Sequence, residues 1–294
     1  AEIIDGVLPP GVFNVVTGDR ECGDALVRHP AVRKVALIGS VETGVAILRS
    51  AADKIMPVTL ELGGKNPLVV CADAPVEKAV LAAIQGMNFT WAGQSCGSTS
   101  RCFVHASLYD RVIEGICKLL PTLHRCGDPL DPATTMGSLI SQAQFDKVMR
   151  YIDIAGAEGA RLVAGGKRPA DPALANGWFV EATVFADVTR DMRIFREEVF
   201  GPVLSVIKWE NEEQLLTDIN SVDYGLTASI YTQHLATAHR LAKRIESGYV
   251  WINTTGAHYL GVPFGGYKKS GMGREEGFEE VLSYTQIKNV HVAL

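Results

Sequence analysis

The sequence lacks the cysteine and histidine spacings that hold metal ions. Its six cysteines include no C-x-x-C pair, and its seven histidines include no H-E-x-x-H segment. Because such spacings bring several ligands to one metal ion, we predict that the protein has no metal site. We expect the cysteines to be free thiols, and five of them to be small buried apolar residues.

Long basic runs and long apolar runs are also missing. The formal net charge is -5, and no basic run is longer than two residues, as in Lys268-Lys269, which is too short to neutralise nucleic-acid phosphates. No segment reaches the roughly 18–20 consecutive apolar residues that span a bilayer. We therefore predict neither a nucleic-acid partner nor a membrane partner.

The first residues do not have the pattern of a signal peptide. Residues Ala1–Asp5 carry no basic segment followed by an apolar one. We expect a cytoplasmic protein. Because the first residue is not Met, we also expect the chain to begin partway through a longer one.

What the sequence does contain is an alternation of strand and helix patterns. In the first third, strands are predicted at Val12–Val16, Val35–Ile38 and Val58–Leu60, and helices at Gly23–Arg28 and Gly44–Ala52. The strands are apolar without alternation, which is typical of a parallel sheet covered on both faces. This βαβαβ order predicts half of a doubly wound nucleotide-binding domain.

The rest of the chain predicts a second α/β domain. Pro67–Val70 continues as a buried strand, and a helix is predicted from Val76 to near Gly93, which places Cys96 in a loop. Further helices are predicted at Leu108–Leu120, Gln142–Ala155, Glu212–Ile219 and Ala236–Ile245. Further strands are predicted at Phe179–Val184, Val203–Trp209, Leu226–Tyr231 and Tyr249–Asn253. Near the end, Pro263–Gly273 indicates a long loop and Tyr284–Val292 an edge strand that needs a partner.

One segment has the form of a phosphate-binding turn. Gly39–Gly44 follows a strand and opens a helix. Such a turn presents backbone N–H groups and a helix N-terminus to a pyrophosphate. Because the full G-x-G-x-x-G spacing is absent, an ordinary strand-to-helix turn is the alternative.

Two further segments carry reactive side chains. Glu61 follows a strand among apolar neighbours, where desolvation raises the pKa of a carboxyl and suits a base near neutral pH. The alternative is a strand-end carboxylate that faces water. Cys96 lies among small and polar residues in Gly93–Gly97, where a thiol is accessible and needs a base or backbone donors for activation. The alternative is a structural cysteine.

Taken together, five segments in chain order resemble the aldehyde dehydrogenase superfamily. They are Leu8–Gly18, Glu61–Lys65, Gly93–Cys96 with Arg101 five residues later, Glu197–Val203 and Pro263–Lys268. The resemblance implies an α/β fold in which part of a Rossmann-like nucleotide-binding domain precedes an α/β catalytic domain, the whole being N-terminally truncated. The implied division is residues 1–62 for the nucleotide-binding part, 63–264 for the catalytic domain, 265–283 for a return segment and 284–294 for an oligomerisation strand. A complete member is expected to be a homodimer or homotetramer.

The resemblance implies oxidation of an aldehyde to a carboxylic acid with NAD or NADP. Cys96 matches the nucleophile that forms a thiohemiacetal and then a thioester, and its backbone N–H matches one half of the oxyanion hole. Glu61 matches the base that activates the hydrolytic water, and Glu275 joins Glu61 in a proton relay.

The resemblance also implies which residues hold the cofactor and the substrate. The cofactor residues are Gly39, Ser40, Gly44, Leu62, Glu198 and Phe200, with Glu198 at the nicotinamide ribose and Phe200 beside the nicotinamide. The substrate residues are Phe264, His258 and Tyr259. For Phe200 and Phe264, ordinary core packing is the alternative.

Other functions stay open beside this one. A relative that passes the thioester to coenzyme A is disfavoured by Glu61, which such relatives commonly lack. A non-catalytic member with a structural role is disfavoured by the presence of both Cys96 and Glu61. The family's side-chain oxyanion donor and adenosine-ribose residues have no counterpart in this sequence, so an inactive truncated chain is a further alternative. Asn88-Phe89-Thr90-Trp91 resembles the betaine-aldehyde type of member.

Overall fold

The computed structural model of the chain describes residues 2–4 and 6–294. Helices alternate with strands along most of this part of the chain. The α-helices in the described residues are α1 (Arg20–Arg28), α2 (Val41–Ala52), α3 (Val76–Gly86), α4 (Tyr109–Leu123), α5 (Gln142–Ala157), α6 (Arg193–Arg196), α7 (Glu212–Asn220), α8 (Leu235–Arg244) and α9 (Phe278–Ser283). The strands there are β1 (Val35–Ile38), β2 (Val58–Glu61), β3 (Pro67–Val70), β4 (Arg101–His105), β5 (Arg161–Ala164), β6 (Thr183–Ala186), β7 (Val203–Trp209), β8 (Tyr224–Gly225), β9 (Thr227–Tyr231), β10 (Tyr249–Ile252), β11 (Tyr267–Lys268) and β12 (Gly271–Met272).

Local sequence accounts for where several helices begin. The side chains of Ser40, Ser141 and Asn211 accept hydrogen bonds from backbone N–H groups in the first turns of α2, α5 and α7. Such caps satisfy donors that have no partner inside the helix. The predicted helices in these regions are confirmed, with ends that differ by a few residues.

A seven-stranded sheet is the largest of the sheets in the described residues. Its strand order is β10-β9-β3-β4-β7-β6-β5, and every neighbouring pair is parallel except β5 with β6. Residues of β3 and β4 are almost completely buried between helices, as expected for parallel strands covered on both faces. The mixed α/β architecture predicted from the sequence is confirmed.

A smaller sheet has the order β1-β2-β12. The pair β1 and β2 is parallel, whereas β12 runs antiparallel to β2 and places Gly271 opposite Glu61. A late segment of the chain therefore returns to the strand that carries Glu61. Two-residue strands β8 and β11 form a separate antiparallel pair.

The prediction of a first strand at Val12–Val16 is wrong. This segment is irregular and exposed, and no described strand lies beside it to accept its hydrogen bonds. The first unit is consequently βαβ rather than βαβαβ. Strand β1 lies at the sheet edge with Ile38 70% exposed, so it is not covered on both faces.

The helix expected to run from Val76 to near Gly93 ends earlier, at Gly86. Asn88 and Ala92 adopt left-handed backbone conformations, which an α-helix of L-residues cannot continue through. A 3-10 turn at Phe89–Trp91 connects them. The early end of the helix leaves the loop before Cys96 longer than predicted.

Three smaller predictions also need correction. The strand expected at Phe179–Val184 forms later, at Thr183–Ala186, where β7 offers a partner. The loop expected over Pro263–Gly273 contains β11 and β12. The strand expected at Tyr284–Val292 is absent from residues 284–294 of this single chain, which pair with no neighbouring strand.

The cysteines are less buried than expected. Cys71 and Cys102 are buried, whereas Cys22, Cys117 and Cys126 are partly exposed. Across residues 2–4 and 6–294, no helix combines the length and the apolar character needed to cross a membrane. The same residues contain no cluster of three or more histidine, cysteine, aspartate or glutamate side chains placed to bind a metal.

Candidate active site

Cys96 lies in the loop between the 3-10 turn at Phe89–Trp91 and strand β4. The loop begins near Gly93, which has a left-handed backbone conformation. A β-carbon on Gly93 would collide with the carbonyl group of Gly201, so this position requires glycine. The Cys96 side chain is partly buried against a cluster formed by Leu226, Tyr249, Trp251 and Phe264. The thiol is therefore held at an apolar wall.

A buried asparagine fastens this loop to the sheet. The side-chain Nδ2 of Asn66 donates to the carbonyl oxygens of Cys96 and Ser98, at 2.6 and 3.0 Å. Its Oδ1 accepts a hydrogen bond of 3.0 Å from the backbone N–H of Thr227. The residues at the start of β3 and of β9 are thus connected to the nucleophile loop by hydrogen bonds of one side-chain amide.

Competing effects set the acidity of the Cys96 thiol. Burial raises the pKa of Cys96, and the nearby carboxyl groups of Glu198 and Glu61 raise it further. Hydrogen bonding from the backbone N–H groups of Cys96 and Gly97 acts in the opposite direction. The thiolate is the reactive form, so these N–H groups favour reactivity.

Glu61 ends strand β2 and is only 2% exposed. Neither of its carboxyl oxygens has a hydrogen-bond partner among the described residues. Burial, and secondarily the charge of Glu275, raise the pKa of Glu61 to about 8, while Arg274 opposes the shift. The desolvation expected from the sequence is confirmed, and it leaves a carboxyl group poised to take a proton near neutral pH.

Glu198 reaches across to the glycine turn that follows Glu61. Its Oε1 accepts a hydrogen bond of 2.8 Å from the backbone N–H of Gly64. A β-carbon on Gly63 would collide with the same carboxylate, so this approach requires glycine. Burial raises the pKa of Glu198, although the Gly64 N–H and the charges of Lys147 and Lys65 counteract this.

The predicted phosphate turn forms the N-terminus of α2. Ser40 caps the helix, and the N–H of Gly39 donates to the carbonyl oxygen of Glu61 at 3.0 Å. Leu62 packs on Gly44, where an added β-carbon would lie 2.8 Å from the leucine Cδ1. The turn and the Glu61 strand are therefore directly joined.

The N-terminus of α2 already stabilises one carboxylate. The Glu42 carboxylate is held by its own N–H and by the Ser40 hydroxyl, which lower its pKa. The same local field favours a phosphate group.

Phe200 follows Glu198 on the other side of the nucleophile loop. Its backbone is left-handed, which is uncommon for a bulky residue, and its carbonyl oxygen accepts a hydrogen bond of 2.6 Å from Gln144. Gly64, Ser95, Glu198 and Phe200 line one small cavity. The structure thus brings the predicted ribose and nicotinamide residues to the same place.

An aromatic cluster flanks Cys96 on its apolar side. The ring of Phe264 lies 4.8 Å from His258 and 5.5 Å from Tyr249, and Trp251 completes the group. His258 also forms a 2.9 Å contact with Glu276. Tyr259 is 57% exposed, so the predicted substrate residues are only partly brought together.

Glu275 is placed by a backbone bridge to this cluster. Phe264 and Glu275 exchange N–H to carbonyl hydrogen bonds of 2.8 and 2.7 Å. Burial, and then the charges of Glu280 and Glu276, raise the pKa of Glu275. Its charge in turn contributes to the raised pKa of Glu61.

Several residues of the site were missed by the reasoning from sequence. Asn66 directly follows the Glu61–Lys65 motif, and that adjacency was a usable signal. Tyr249 and Trp251 are two residues apart on a strand, a spacing that puts both side chains on one face. Ser270 donates from Oγ to the carbonyl oxygen of Gly63 at 2.7 Å, and nothing local indicated that contact.

Comparison with known proteins identifies relatives along almost the entire chain. A family model described as the aldehyde dehydrogenase family matches residues 1–290. The chain is 51% identical to aldehyde dehydrogenase tropH of Talaromyces stipitatus, over 100% of this chain and 58% of that protein. It is 45% identical to betaine aldehyde dehydrogenase of Brucella anthropi, over 98% of this chain and 58% of that protein.

A solved structure is also similar to this chain over almost its whole length. Betaine aldehyde dehydrogenase of Staphylococcus aureus, in complex with NAD+, superposes with a TM-score of 0.92 at 37% identity. The match covers 96% of this chain and 56% of that one. The chain therefore spans a little under three fifths of the length of the relatives it matches.

Proposed function

The chain belongs to the aldehyde dehydrogenase family, and from this we propose that the whole protein oxidises an aldehyde to a carboxylic acid with NAD or NADP. One observation carries the proposal for this chain. A partly exposed thiol, Cys96, lies within electrostatic reach of Glu61, a buried carboxyl without a hydrogen-bond partner and with a pKa of about 8. A nucleophile and a general base are thereby combined in one site.

The first half of the proposed reaction takes place on Cys96. Its thiolate attacks the carbonyl carbon, a C–S bond forms, and the oxygen gains the negative charge of a thiohemiacetal. The backbone N–H of Cys96, which matches one half of the family's oxyanion hole, would donate to that oxygen, and such donors act most strongly as the charge develops. A bound NAD or NADP would supply the acceptor for the hydride that leaves this carbon, and a thioester would then remain on the Cys96 sulfur.

The second half uses Glu61. Its carboxylate takes a proton from a water molecule, and the resulting hydroxide equivalent attacks the thioester carbon. The C–S bond then breaks, the carboxylic acid leaves, and the thiolate is restored. Glu275 lies near enough to influence the charge of Glu61, and we assign it the onward passage of that proton.

The residues present fit a nicotinamide dinucleotide. Gly39 and Ser40 offer a helix N-terminus that already holds the Glu42 carboxylate, so a pyrophosphate would be stabilised by the same field. Leu62 packs against Gly44 of the same turn. Glu198 and Phe200 line the cavity beside Gly64, where they would contact the ribose and the nicotinamide.

Glu61 also favours water over coenzyme A as the acyl acceptor. A thiol acceptor needs no buried base with a raised pKa, whereas water does. For the aldehyde itself, betaine aldehyde is the first candidate, because a curated relative carries that name and because Tyr249, Trp251 and Phe264 present aromatic rings beside Cys96. Aromatic rings attract quaternary ammonium groups.

The organisation of the chain is part of the same proposal. We assign residues 1–62 to the nucleotide-binding part, 63–264 to the catalytic domain, 265–283 to a return segment and 284–294 to a strand at the interface of a homodimer or homotetramer. Support comes from β12, which returns to pair with β2, and from the exposed apolar side chains of Ile287, Val290 and Val292.

A pair of cysteine substitutions in the full-length protein tests the proposed chemistry. Cys96→Ser should abolish aldehyde oxidation while NAD binding survives, because an alkoxide is far harder to generate than a thiolate near neutral pH. Cys102→Ser is the matched control, since burial raises the pKa of Cys102 to about 12 on strand β4. Loss of activity in Cys102→Ser with retention in Cys96→Ser would disprove the assignment.

A further inference from the structure

Backbone N–H groups beside the Cys96 sulfur act to lower its pKa. Burial and the carboxyl groups of Glu198 and Glu61 raise the pKa of Cys96, and the N–H groups of Cys96 and Gly97 oppose that rise. A hydrogen bond of this kind is strong only when the donor points at the charged atom. The direction of the Gly97 N–H therefore matters to the nucleophile.

The Gly97 N–H and the Cys96 carbonyl belong to one peptide unit. A trans peptide is planar, so its C=O and N–H point in opposite directions. Whatever holds the carbonyl oxygen of Cys96 thereby also holds the direction of the Gly97 N–H.

Asn66 holds that carbonyl oxygen. Its Nδ2 lies 2.6 Å from the Cys96 oxygen and 3.0 Å from the Ser98 oxygen, and its Oδ1 is fixed by the N–H of Thr227. Asn66 is 1% exposed, so water does not compete for these bonds. With both amide hydrogens and the amide oxygen engaged, the side chain has a single orientation.

The surroundings leave the peptide unit no room to turn. A β-carbon on Gly64 would lie 2.5 Å from the Cys96 oxygen, so this glycine packs directly against the carbonyl. On the next peptide unit, the hydroxyl of Thr227 donates to the carbonyl oxygen of Gly97 at 3.3 Å.

We propose that Asn66 is a positioning residue for the nucleophile, which holds the Cys96 carbonyl and thereby aims the Gly97 N–H at the Cys96 sulfur. The inference rests on the proposed role of Cys96. It adds to that role a residue that directly precedes strand β3, touches neither substrate nor cofactor and acts through one peptide plane.

The test measures thiol reactivity across pH in this chain. Iodoacetamide labelling of the Cys96 peptide, followed by mass spectrometry from pH 6 to 10, reports the thiolate fraction at that one cysteine. In Asn66→Ala the rate near neutral pH should fall about tenfold, which corresponds to one unit in acidity. The midpoint of the profile should move upward while the limiting rate at high pH changes little.

A merely structural role gives a different result. Loosening of the loop would expose Cys96 and speed its alkylation, and it would move the midpoint downward, because burial is the main cause of the raised pKa of Cys96. Asn66→Asp is the second variant, since it keeps an acceptor for the Thr227 N–H but loses both donors. It also adds a charge that can only raise the pKa of a nearby thiol, so an unmoved midpoint in Asn66→Asp overturns the proposal even if Asn66→Ala does not fold.

Thr99→Val is the matched control. Thr99 is fully buried three residues from Cys96, and its hydroxyl has no hydrogen-bond partner among the described residues. The substitution keeps the volume, and its profile should match that of the parent. A shift in Thr99→Val equal to that in Asn66→Ala would contradict a specific effect of Asn66.

The labelling requires neither aldehyde nor cofactor. If Cys96→Ser retains turnover in the full-length protein, the proposed function fails, and yet the labelling profile still decides whether Asn66 controls this thiol. Failure of one proposal is therefore distinguishable from failure of the other.

Discussion

The backbone N–H of Gly64 donates a 2.8 Å hydrogen bond to Oε1 of Glu198, across 134 positions of sequence. The same glycine packs against the carbonyl oxygen of Cys96. Gly64 therefore touches both the carboxylate proposed to hold the nicotinamide ribose and the loop that carries the nucleophile.

This contact leads to a prediction for Glu198→Gln in the full-length enzyme. The amide oxygen can still accept from the Gly64 N–H, but the charge that would bind ribose hydroxyl groups is lost. Hydride transfer should slow by about a hundredfold, because small misplacements of reacting groups have effects of that order. A primary deuterium isotope effect on kcat with deuterated aldehyde is the measurement.

The neighbouring Glu197 provides the control for that experiment. Its carboxylate is bound to Arg193 and Tyr151, and these contacts lower its pKa to about 2. Glu197→Gln should leave the isotope effect of the parent unchanged. If Glu198→Gln keeps the parent rate and shows no isotope effect, Glu198 does not hold the nicotinamide ribose.

A second prediction separates hydrolysis from the earlier steps. In Glu61→Gln, acylation and hydride transfer should continue while thioester hydrolysis slows by about a hundredfold or more, as is typical for loss of a general base. Rapid mixing should then show one equivalent of NADH per active site, followed by slow turnover. Steady turnover at the parent rate would return acyl transfer to a thiol to consideration.

A third prediction concerns the pH dependence of stability. Burial raises the pKa of Glu61 from 4.5 to about 8, so between these values the unfolded chain loses a proton that the folded chain keeps. The folded state is then progressively destabilised as pH rises, by at most about 1.4 kcal/mol per pH unit. Above about pH 8 both states are ionised and the effect stops growing.

Urea unfolding of this chain between pH 5 and 9 measures that dependence. Glu61→Gln should gain stability relative to the parent as pH rises, with a plateau above about pH 8. Glu197→Gln should behave oppositely, with a constant loss across this range, because the lowered pKa of Glu197 stabilises the fold at every pH above about 4.5. Parallel curves for parent and Glu61→Gln would mean that Glu61 ionises normally in the folded chain.

A fourth prediction concerns this chain by itself, which spans 58% of the length of its curated relatives. Strand β1 is an edge strand that pairs only with β2 among the described residues and leaves Ile38 exposed, and the oxyanion donor and adenosine-ribose residues that the resemblance implies have no counterpart in this sequence. Loss of one such donor alone lowers the rate by about a hundred- to a thousandfold.

The purified chain with NAD or NADP and a panel of aldehydes should therefore give no sustained increase in reduced cofactor, although Cys96 should still be alkylated. Absorbance at the wavelength of the reduced cofactor is the measurement. Turnover on the order of 1 per second would show that the residues of this chain are sufficient for activity.

Local sequence was sufficient for several elements around the candidate site. Strand β1 at Val35–Ile38 was predicted with its observed ends, whereas the local segments of Glu61 and Cys96 left alternatives open and their roles came from the family resemblance. A strand end, a glycine turn and a capped helix start depend on residues a few positions apart. Such features can be read from the sequence because the interactions that produce them are local.

Tertiary structure decided the features that depend on distant partners. Val12–Val16 has the pattern of a strand but forms none, because a strand needs a neighbour to accept its hydrogen bonds. The bond between Asn66 and the Cys96 carbonyl joins residues 30 positions apart, and that between Glu198 and Gly64 joins residues 134 apart. Neither hydrogen bond can be read from the local sequence. Each forms only when the folded chain brings segments that are distant in sequence together next to the ends of adjacent parallel strands.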